Sequence, residues 1–109
     1  METFFAKYKI KDGCLEDINN WAREINSRKE DVFETLDSEK VFIETACLDK
    51  QMEGHYLIYF MKCDNIESVF EKLSKSKNSI DLFHKKVLSE TLEPPIFFKI
   101  LIDFNNFNN

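Results

Sequence analysis

The sequence predicts an α+β fold of the ferredoxin-like type, a four-stranded antiparallel sheet with helices on one side. Apolar residues that alternate with a period of two are typical of strands, and apolar steps of three and four are typical of helices. Taken in order, these patterns indicate strand, helix, strand, strand, helix, helix and strand, which is the βαββαβ arrangement with one extra helix. A chain of 109 residues that is 43% hydrophobic can bury a core without disulfides. We expect one domain over residues 1–104 and a frayed, asparagine-rich tail over residues 105–109.

The first half of the chain predicts a strand followed by one long helix. Aromatic and polar residues alternate over residues 3–10, and Asp12 and Gly13 end this strand with a turn. Apolar residues then recur at helical steps, which indicates a single amphipathic helix interrupted only around Lys29. Its apolar stripe comprises Leu15, Ile18, Trp21, Ala22, Ile25, Val32, Phe33 and Leu36.

The middle of the chain predicts a β-hairpin. Residues 41–48 and 55–63 are β-branched and aromatic, and the turn-forming residues 49–54 place the hairpin centre near Gln51 or Met52. The second strand is apolar on both of its faces, so both faces of the sheet must be covered. One face carries Leu57, Tyr59 and Met61, and the other carries Tyr56, Ile58 and Phe60.

The second half predicts two more helices and a last strand. Asp64 and Glu67 form a capping-box pattern at the start of a short helix. A third helix begins near Ser79 and must end before Pro94, because the residue ahead of a proline avoids helical geometry. Residues 96–104, IFFKILIDF, predict the strand that completes the sheet.

The pattern and the charge of the chain also indicate its partners. Three helices cover only one face of the sheet, so we expect the open face to meet a second copy of the chain in a homodimer. The net charge of −5 opposes binding to the phosphate backbone of a nucleic acid. No stretch reaches the ~20 apolar residues that cross a bilayer, so no membrane partner is expected.

The three cysteines are predicted to be free thiols. Cys14, Cys47 and Cys63 are odd in number and too scattered for a zinc site or a redox pair. Free thiols indicate a reducing compartment, and the first ten residues lack the apolar core of a signal peptide, so we expect a cytoplasmic location. We expect no metal or cofactor, since Gly13 and Gly54 are the only glycines and a phosphate-cradling loop needs more.

The main candidate for chemistry is His84, on the apolar face of the third helix. It follows Ile80 by four residues and precedes Leu88 by four, so its ring is expected to be at least partly buried. Asp81, one turn earlier, has two readings. It orients the imidazole as general bases require, or it caps the helix or pairs with Lys85 while His84 only packs.

Four further residues are candidate ligand contacts. Tyr59 in the hairpin and Tyr8 in the first strand each combine a hydroxyl with an apolar ring. Trp21 of the long helix is a candidate wall of the same cavity, and Glu44 of the hairpin is a candidate acid. The structural alternatives are core packing for the aromatic residues and a carboxylate at the sheet rim for Glu44.

Several segments resemble a small bacterial family of uncharacterised function in the dimeric α/β-barrel superfamily. They are the KDG turn after the first strand, the helix bearing Trp21, the strand HYLIYFMKC and the segment IDLFHKKVLSETLEP, which contains Asp81 and His84. The superfamily includes cofactor-free monooxygenases, muconolactone isomerases and haem-degrading enzymes. The resemblance implies a pocket between the sheet and the helices of one subunit, but a shared fold transfers architecture rather than activity.

Two functional hypotheses follow. In the first, the protein binds a small, mostly apolar molecule between sheet and helices as a cofactor-independent oxygenase or isomerase. His84 is then the base or hydrogen-bond donor, Asp81 orients it and Tyr59 positions the substrate. In the second, the protein is a non-catalytic dimeric binding or regulatory module. A cavity that reaches His84 and a tyrosine hydroxyl favours the first, and a closed interior around His84 favours the second.

Overall fold

In the computed structural model, which describes residues 1–106, four strands form one antiparallel sheet. The elements are β1 (Glu2–Lys9), α1 (Leu15–Ser27), α2 (Lys29–Glu39), β2 (Val41–Gln51), β3 (Gly54–Cys63), α3 (Ile66–Lys75), α4 (Ser79–Thr91) and β4 (Ile96–Phe97). The strands lie in the order β2-β3-β1-β4, and each neighbouring pair is antiparallel. The predicted ferredoxin-like α+β fold is therefore confirmed.

The register of the sheet decides which side chains share a face. β1 pairs with β3 along its whole length, with Ala6 opposite Tyr59. β2 and β3 form the predicted hairpin, in which Gln51 lies opposite Gly54, so the turn falls where the sequence places it. Even-numbered residues of β1 and odd-numbered residues of β3 consequently point to the same side, which we call the inner face.

The core lies between the inner face and the helices. Ile18 and Trp21 of α1 and Val69 of α3 are at most 5% exposed and pack against the buried side chains of the sheet. Burial of each such apolar side chain stabilises the fold by about 1.5–3 kcal/mol. The sheet contributes Phe4, Ala6, Leu57, Tyr59, Met61 and Cys63 to this core.

The prediction of a single long helix is wrong, because the chain forms two helices that are separated at Arg28. Six consecutive polar residues lie between Ile25 and Val32, so no apolar side chain holds this turn against the sheet. Arg28 adopts φ −116° and ψ 46°, and its N–H donates to the Ile25 carbonyl at 3.1 Å. Its guanidinium binds Asp31 and Ser79. The break turns α2 so that it contacts β2, α3 and α4.

The prediction of a strand over residues 96–104 is also wrong for most of its length. Only Ile96–Phe97 pair with β1. The alternating apolar pattern is present in the rest of the segment, but Leu101 and Ile102 are 80% and 77% exposed, since no layer of this chain covers them. The predicted frayed tail falls partly on residues 107–109, which lie outside the described residues, so its mobility stays a prediction.

The segment after β4 contacts the other side of the sheet, which we call the outer face. The ring of Phe98 lies 4.9 Å from that of Phe5. Asp103 accepts a hydrogen bond from Thr3 at 2.6 Å and forms an ion pair with Lys62, which is only 6% exposed. The outer face comprises Thr3, Phe5, Lys7, Tyr56, Ile58, Phe60 and Lys62.

In the described part of the chain, no helix has the length and hydropathy of a bilayer-spanning segment.

The cap of α3 is Asn65 rather than the predicted Asp64. The side-chain oxygen of Asn65 accepts from the Ser68 N–H at 2.8 Å, which satisfies one of the free N–H groups at the helix start. The backbone N–H of Asp64 donates instead to the Lys40 carbonyl at 3.0 Å, which ties the end of β3 to the start of β2. The capping residue is therefore displaced by one position.

We expect Asn65→Ala to lower the free energy of unfolding by about 1 kcal/mol, because a helix-start N–H loses its acceptor. The matched control is Asp64→Ala, which removes a side chain of similar size from the adjacent position and should stay within ~0.5 kcal/mol of the parent. Urea unfolding followed by circular dichroism measures both. A larger loss in Asp64→Ala than in Asn65→Ala would show that the cap is misassigned.

Candidate functional site

A cavity of ≈ 780 Å³ lies between the inner face of the sheet and the helices. Its walls are mostly apolar and include Phe4 and Met61 from the sheet, Leu36 from α2 and Leu88 from α4. The edge strand β2 lines one side. Its Glu44 is exposed as a whole residue, but the carboxyl group lies against the buried Tyr59 at the wall of the cavity. The space has the size and character of a small-molecule site.

All six residues that the sequence analysis singled out line this one cavity. They come from five different elements, so only the folded chain brings them together. The cavity reaches both His84 and Tyr59, whose ring centroids are 6.2 Å apart. The six residues are Tyr8, Trp21, Glu44, Tyr59, Asp81 and His84.

The imidazole of His84 is held by Trp21. The indole Nε1–H donates to Nδ1 of His84 at 3.1 Å, and the two ring centroids are 5.6 Å apart. Because Nδ1 accepts this hydrogen bond, the neutral ring carries its proton on Nε2. Burial lowers the pKa of His84 to about 4, although the charge of Asp81 acts in the opposite direction. At neutral pH His84 is therefore a hydrogen-bond donor through Nε2, and no residue within 1–106 accepts that bond.

Asp81 is bound by α2 rather than by its own helix. The hydroxyl of Thr35 lies 2.9 Å from Oδ1 and 2.8 Å from Oδ2 of Asp81, which is only 4% exposed. Asn78, not Asp81, caps α4, since its side chain accepts from the Asp81 N–H at 2.9 Å. Among the described residues, Asp81 forms no hydrogen bond with His84 and no ion pair with Lys85. The predictions that Asp81 binds His84, caps the helix or pairs with Lys85 are therefore wrong. Trp21, not Asp81, forms the hydrogen bond that orients His84.

Glu39, at the end of α2, is a second buried carboxyl group next to Asp81. It is 8% exposed, and its Oε1 lies 3.3 Å from the hydroxyl of Thr35. Burial raises the pKa of Glu39 to about 7, and the charges of Asp81 and Glu44 add to this rise. A hydrogen bond donated by Thr35 to an ionised Glu39, and the positive charge of Lys72, act in the opposite direction. Glu39 therefore holds a proton for much of the time near neutral pH.

The sequence analysis missed both Thr35 and Glu39, although a signal was present. Glu39 follows Val32 by seven residues and Leu36 by three, so it continues the apolar stripe of its helix. A carboxyl group on such a stripe is either buried or at the edge of a cavity. Glu39 could therefore have been identified from the sequence as a polar residue on an apolar helix face.

Glu44 and Tyr59 form a hydrogen-bonded pair on neighbouring strands. The hydroxyl of Tyr59 donates to Oε2 of Glu44 at 2.5 Å. Burial raises the pKa of Glu44, while the bond from Tyr59 opposes this rise. Burial and the charge of Glu44 hold the pKa of Tyr59 well above its ordinary value, so the phenol stays a donor. Burial also raises the pKa of Tyr8, a partly buried residue of the same wall.

Other polar candidates lie away from this cavity. His55 is half-buried, and its Nδ1 has no hydrogen-bond partner in the described part of the chain. Cys14, Cys47 and Cys63 are free, as predicted. Within residues 1–106, no group of three or more His, Cys, Asp or Glu side chains is placed to hold a metal ion.

The whole chain, residues 1–109, matches the model of a family of unknown function, DUF6176. The chain belongs to this family. The predicted membership in a family of uncharacterised function is confirmed, and no protein of curated function matches the sequence. The crystal structure of an L-rhamnose mutarotase from Formosa agariphila is similar to this DUF6176 chain, with 14% sequence identity and a TM-score of 0.58 over 96% of this chain and 100% of that one. At this identity the likeness shows the ferredoxin-like fold.

The raised pKa of Glu39 predicts how stability depends on pH. The pKa of Glu39 is about 7 in the folded protein against a reference value of 4.5. The contribution of Glu39 to the free energy of unfolding therefore falls as the pH rises between these two values. Glu39→Gln removes this loss. We therefore expect the variant to gain roughly 1 to 3 kcal/mol relative to the parent between about pH 4.5 and about pH 8, because water in the cavity screens part of the full shift.

Urea unfolding of parent and variant at several pH values measures this difference, and the other titrating groups cancel because both proteins contain them. The matched control is Glu34→Gln, an exposed position on the same helix that makes the same charge change outside the cavity. Equal pH dependence of the stability difference in the two variants would show that Glu39 is not protonated in the folded state.

Proposed function

We propose that this protein binds a small, uncharged molecule with both hydroxyl groups and apolar surface in the cavity and isomerises it by proton transfer without a cofactor. The observation that carries this proposal is the meeting of a carboxylate, Glu44, and a neutral donor, His84, in one open cavity of ≈ 780 Å³. Titrating groups with shifted pKa values in such a cavity are typical of catalytic sites. Isomerisation needs an acid and a base but no co-reactant, which favours it over oxygenation.

Glu44 is the proton acceptor in this proposal. Its carboxylate faces the cavity, and the Tyr59 hydroxyl holds one oxygen at 2.5 Å, which leaves the other oxygen for a ligand. The raised pKa of Glu44 makes it a stronger base than an ordinary glutamate. Tyr59 thus positions the base rather than the substrate itself.

His84 supplies a hydrogen bond to an oxygen of the ligand. Trp21 occupies Nδ1 and so directs the proton to Nε2, and the pKa of about 4 keeps the ring neutral. A neutral imidazole polarises a carbonyl or hydroxyl oxygen without adding a charge to the cavity. The carboxyl groups of the cavity, together with its apolar walls, disfavour an anionic ligand.

A cyclic hemiacetal is the substrate class that we would test first. A mutarotase with the same fold acts on L-rhamnose, and anomer exchange of a sugar needs only an acid and a base. Glu44 takes the proton of the anomeric hydroxyl, the bond from the anomeric carbon to the ring oxygen breaks, and the ring oxygen receives a proton from a carboxyl group of the cavity that is protonated near neutral pH. Closure on the opposite face reverses both transfers, so atoms and charge balance over the cycle.

Exchange between the α and β forms of aldoses, including L-rhamnose, is measured by proton NMR magnetisation transfer. We expect the protein to accelerate this exchange, and we expect Glu44→Gln to lower the rate by ~100-fold or more, because an amide takes up no proton. His84→Ala should lower the rate by at least ~10-fold, because one hydrogen bond to the reacting oxygen is lost.

The matched control for Glu44→Gln is Glu53→Gln, which makes the same charge change in the hairpin turn, away from the cavity. Its exchange rate should equal that of the parent. Sugar binding without accelerated exchange, in parent and variants alike, would contradict the isomerase and support a non-catalytic binding module.

We also infer that two copies of the chain associate through the outer face of the sheet. Within residues 1–106 no helix covers this face, and the edge-to-face rings of Phe5 and Phe60, with centroids 5.5 Å apart, are only half-buried. Thr45 and Cys47 extend the face onto β2, where both are exposed. An antiparallel sheet with apolar residues on both faces is typical of proteins that cover the second face by association.

Analytical ultracentrifugation tests this association. We expect a dimer for the parent, a monomer for Cys47→Arg, which places a charge on the outer face at an exposed position, and a dimer for the matched control Cys47→Ser. A monomeric parent at micromolar concentration, or a dimer that tolerates Cys47→Arg, would sink the proposal.

A further inference from the structure

The Thr35 hydroxyl lies between two buried carboxyl groups. It is 2.8 Å and 2.9 Å from the oxygens of Asp81 and 3.3 Å from Oε1 of Glu39. A hydroxyl has one proton to donate and can also accept a hydrogen bond. The shorter distances assign its proton to Asp81, so its oxygen is available as an acceptor for Glu39.

Two charged carboxylates on either side of one hydroxyl would repel one another in a site with little water. Asp81 is 4% exposed and Glu39 is 8% exposed, and both line the cavity. When two carboxyl groups share such a site, one of them keeps its proton. A protonated Glu39 can donate to Thr35, and Thr35 can donate to an ionised Asp81.

We propose that the pair of carboxyl groups, Glu39 and Asp81, holds one proton between them. This proton is bonded to Glu39, which donates a hydrogen bond to the Thr35 oxygen, and Glu39 transfers the proton to the bound molecule. Glu39 is then the acid that complements Glu44 as the base, a role that neither the family nor the shared fold assigns. The delivery step rests on the function proposed above. The shared proton rests on the geometry of the three side chains alone.

The surroundings of Glu39 support this arrangement. Asp81 on α4 and Glu44 on β2 present negative charge to it, and Lys72 on α3 presents positive charge. His84 on α4 and Tyr59 on β3 also line the cavity and are neutral at neutral pH. Lys29 of α2 and Lys85 of α4 line the cavity as well. Burial and the two carboxylates prevail over Lys72, and the pKa of Glu39 rises to about 7.

The proton transfers balance over one catalytic turnover. Glu39 gives its proton to one oxygen of the ligand as Glu44 takes a proton from another oxygen. Glu39 is then a carboxylate, hydrogen-bonded by Thr35, and Glu44 is a carboxylic acid. The reverse transfers during ring closure restore both groups, so no outside acid, base or oxidant is required.

Carbon-13 NMR of labelled glutamate side chains, followed from about pH 4 to about pH 10 in the ligand-free protein, tests the shared proton. Glu39→Gln assigns the Glu39 signal. We expect this signal to titrate near neutral pH in the parent. Asp81→Asn removes a negative charge and should lower the pKa of Glu39.

Thr35→Val separates the proposal from a simpler arrangement in which Thr35 donates to an ionised Glu39. If Glu39 carries the proton, loss of the Thr35 acceptor lowers the pKa of Glu39, whereas loss of a donor to an ionised Glu39 would raise it. The matched control Thr35→Ser keeps the hydroxyl and should resemble the parent. A rise in Thr35→Val, or titration of Glu39 in the ordinary carboxyl range in the parent, would overturn the shared proton.

The anomer-exchange assay tests delivery of the proton. Glu39→Gln should lower the exchange rate by ~10²-fold while keeping the fold, because the amide fills the same space and supplies no acidic proton. An unchanged rate in Glu39→Gln would overturn the delivery step. A parent that accelerates no exchange would refute the proposed function and with it the delivery step, and the titration would still decide whether the proton is shared.

Discussion

One hydroxyl group, that of Thr35, satisfies two carboxyl groups that the fold buries. Buried charge is tolerated only where it is hydrogen-bonded, so the position of α2 relative to α4 depends on this contact. The break at Arg28 makes it possible, because α2 leaves the line of α1 and reaches α4, where Arg28 also binds Ser79. This polar contact joins the two helices at the wall of the cavity.

The second polar contact, from Trp21 to His84, has a chemical rather than an architectural consequence. It selects which imidazole nitrogen carries the proton and makes His84 a donor. In the proposed mechanism, the carboxyl groups on the other walls divide into a base, Glu44, that Tyr59 positions and an acid, Glu39, that burial keeps protonated. Similar side chains would then have different roles because their surroundings differ.

The two faces of the sheet have different surroundings. β2 is an edge strand that the helices cover only in part, so Glu44 meets solvent through the cavity. No helix within residues 1–106 covers the outer face, and the segment after β4 contacts it through Phe98 and Asp103. The apolar residues of that segment have the pattern of a strand without a surface to pack on, which is why pairing ends at Phe97.

By itself the sequence predicted the fold class, the approximate position of the hairpin turn and six of the residues that line the cavity, because each depends on local periodicity and residue type. It placed His84 and Trp21 on apolar helix faces, but not against each other, since they are separated by 63 positions. Asp81 was assigned to nearby partners on its own helix, and its true partner Thr35 lies 46 positions away. The tertiary structure alone decided these pairings, the break at Arg28 and the length of the last strand, because a buried polar group takes the partner that packing brings to it.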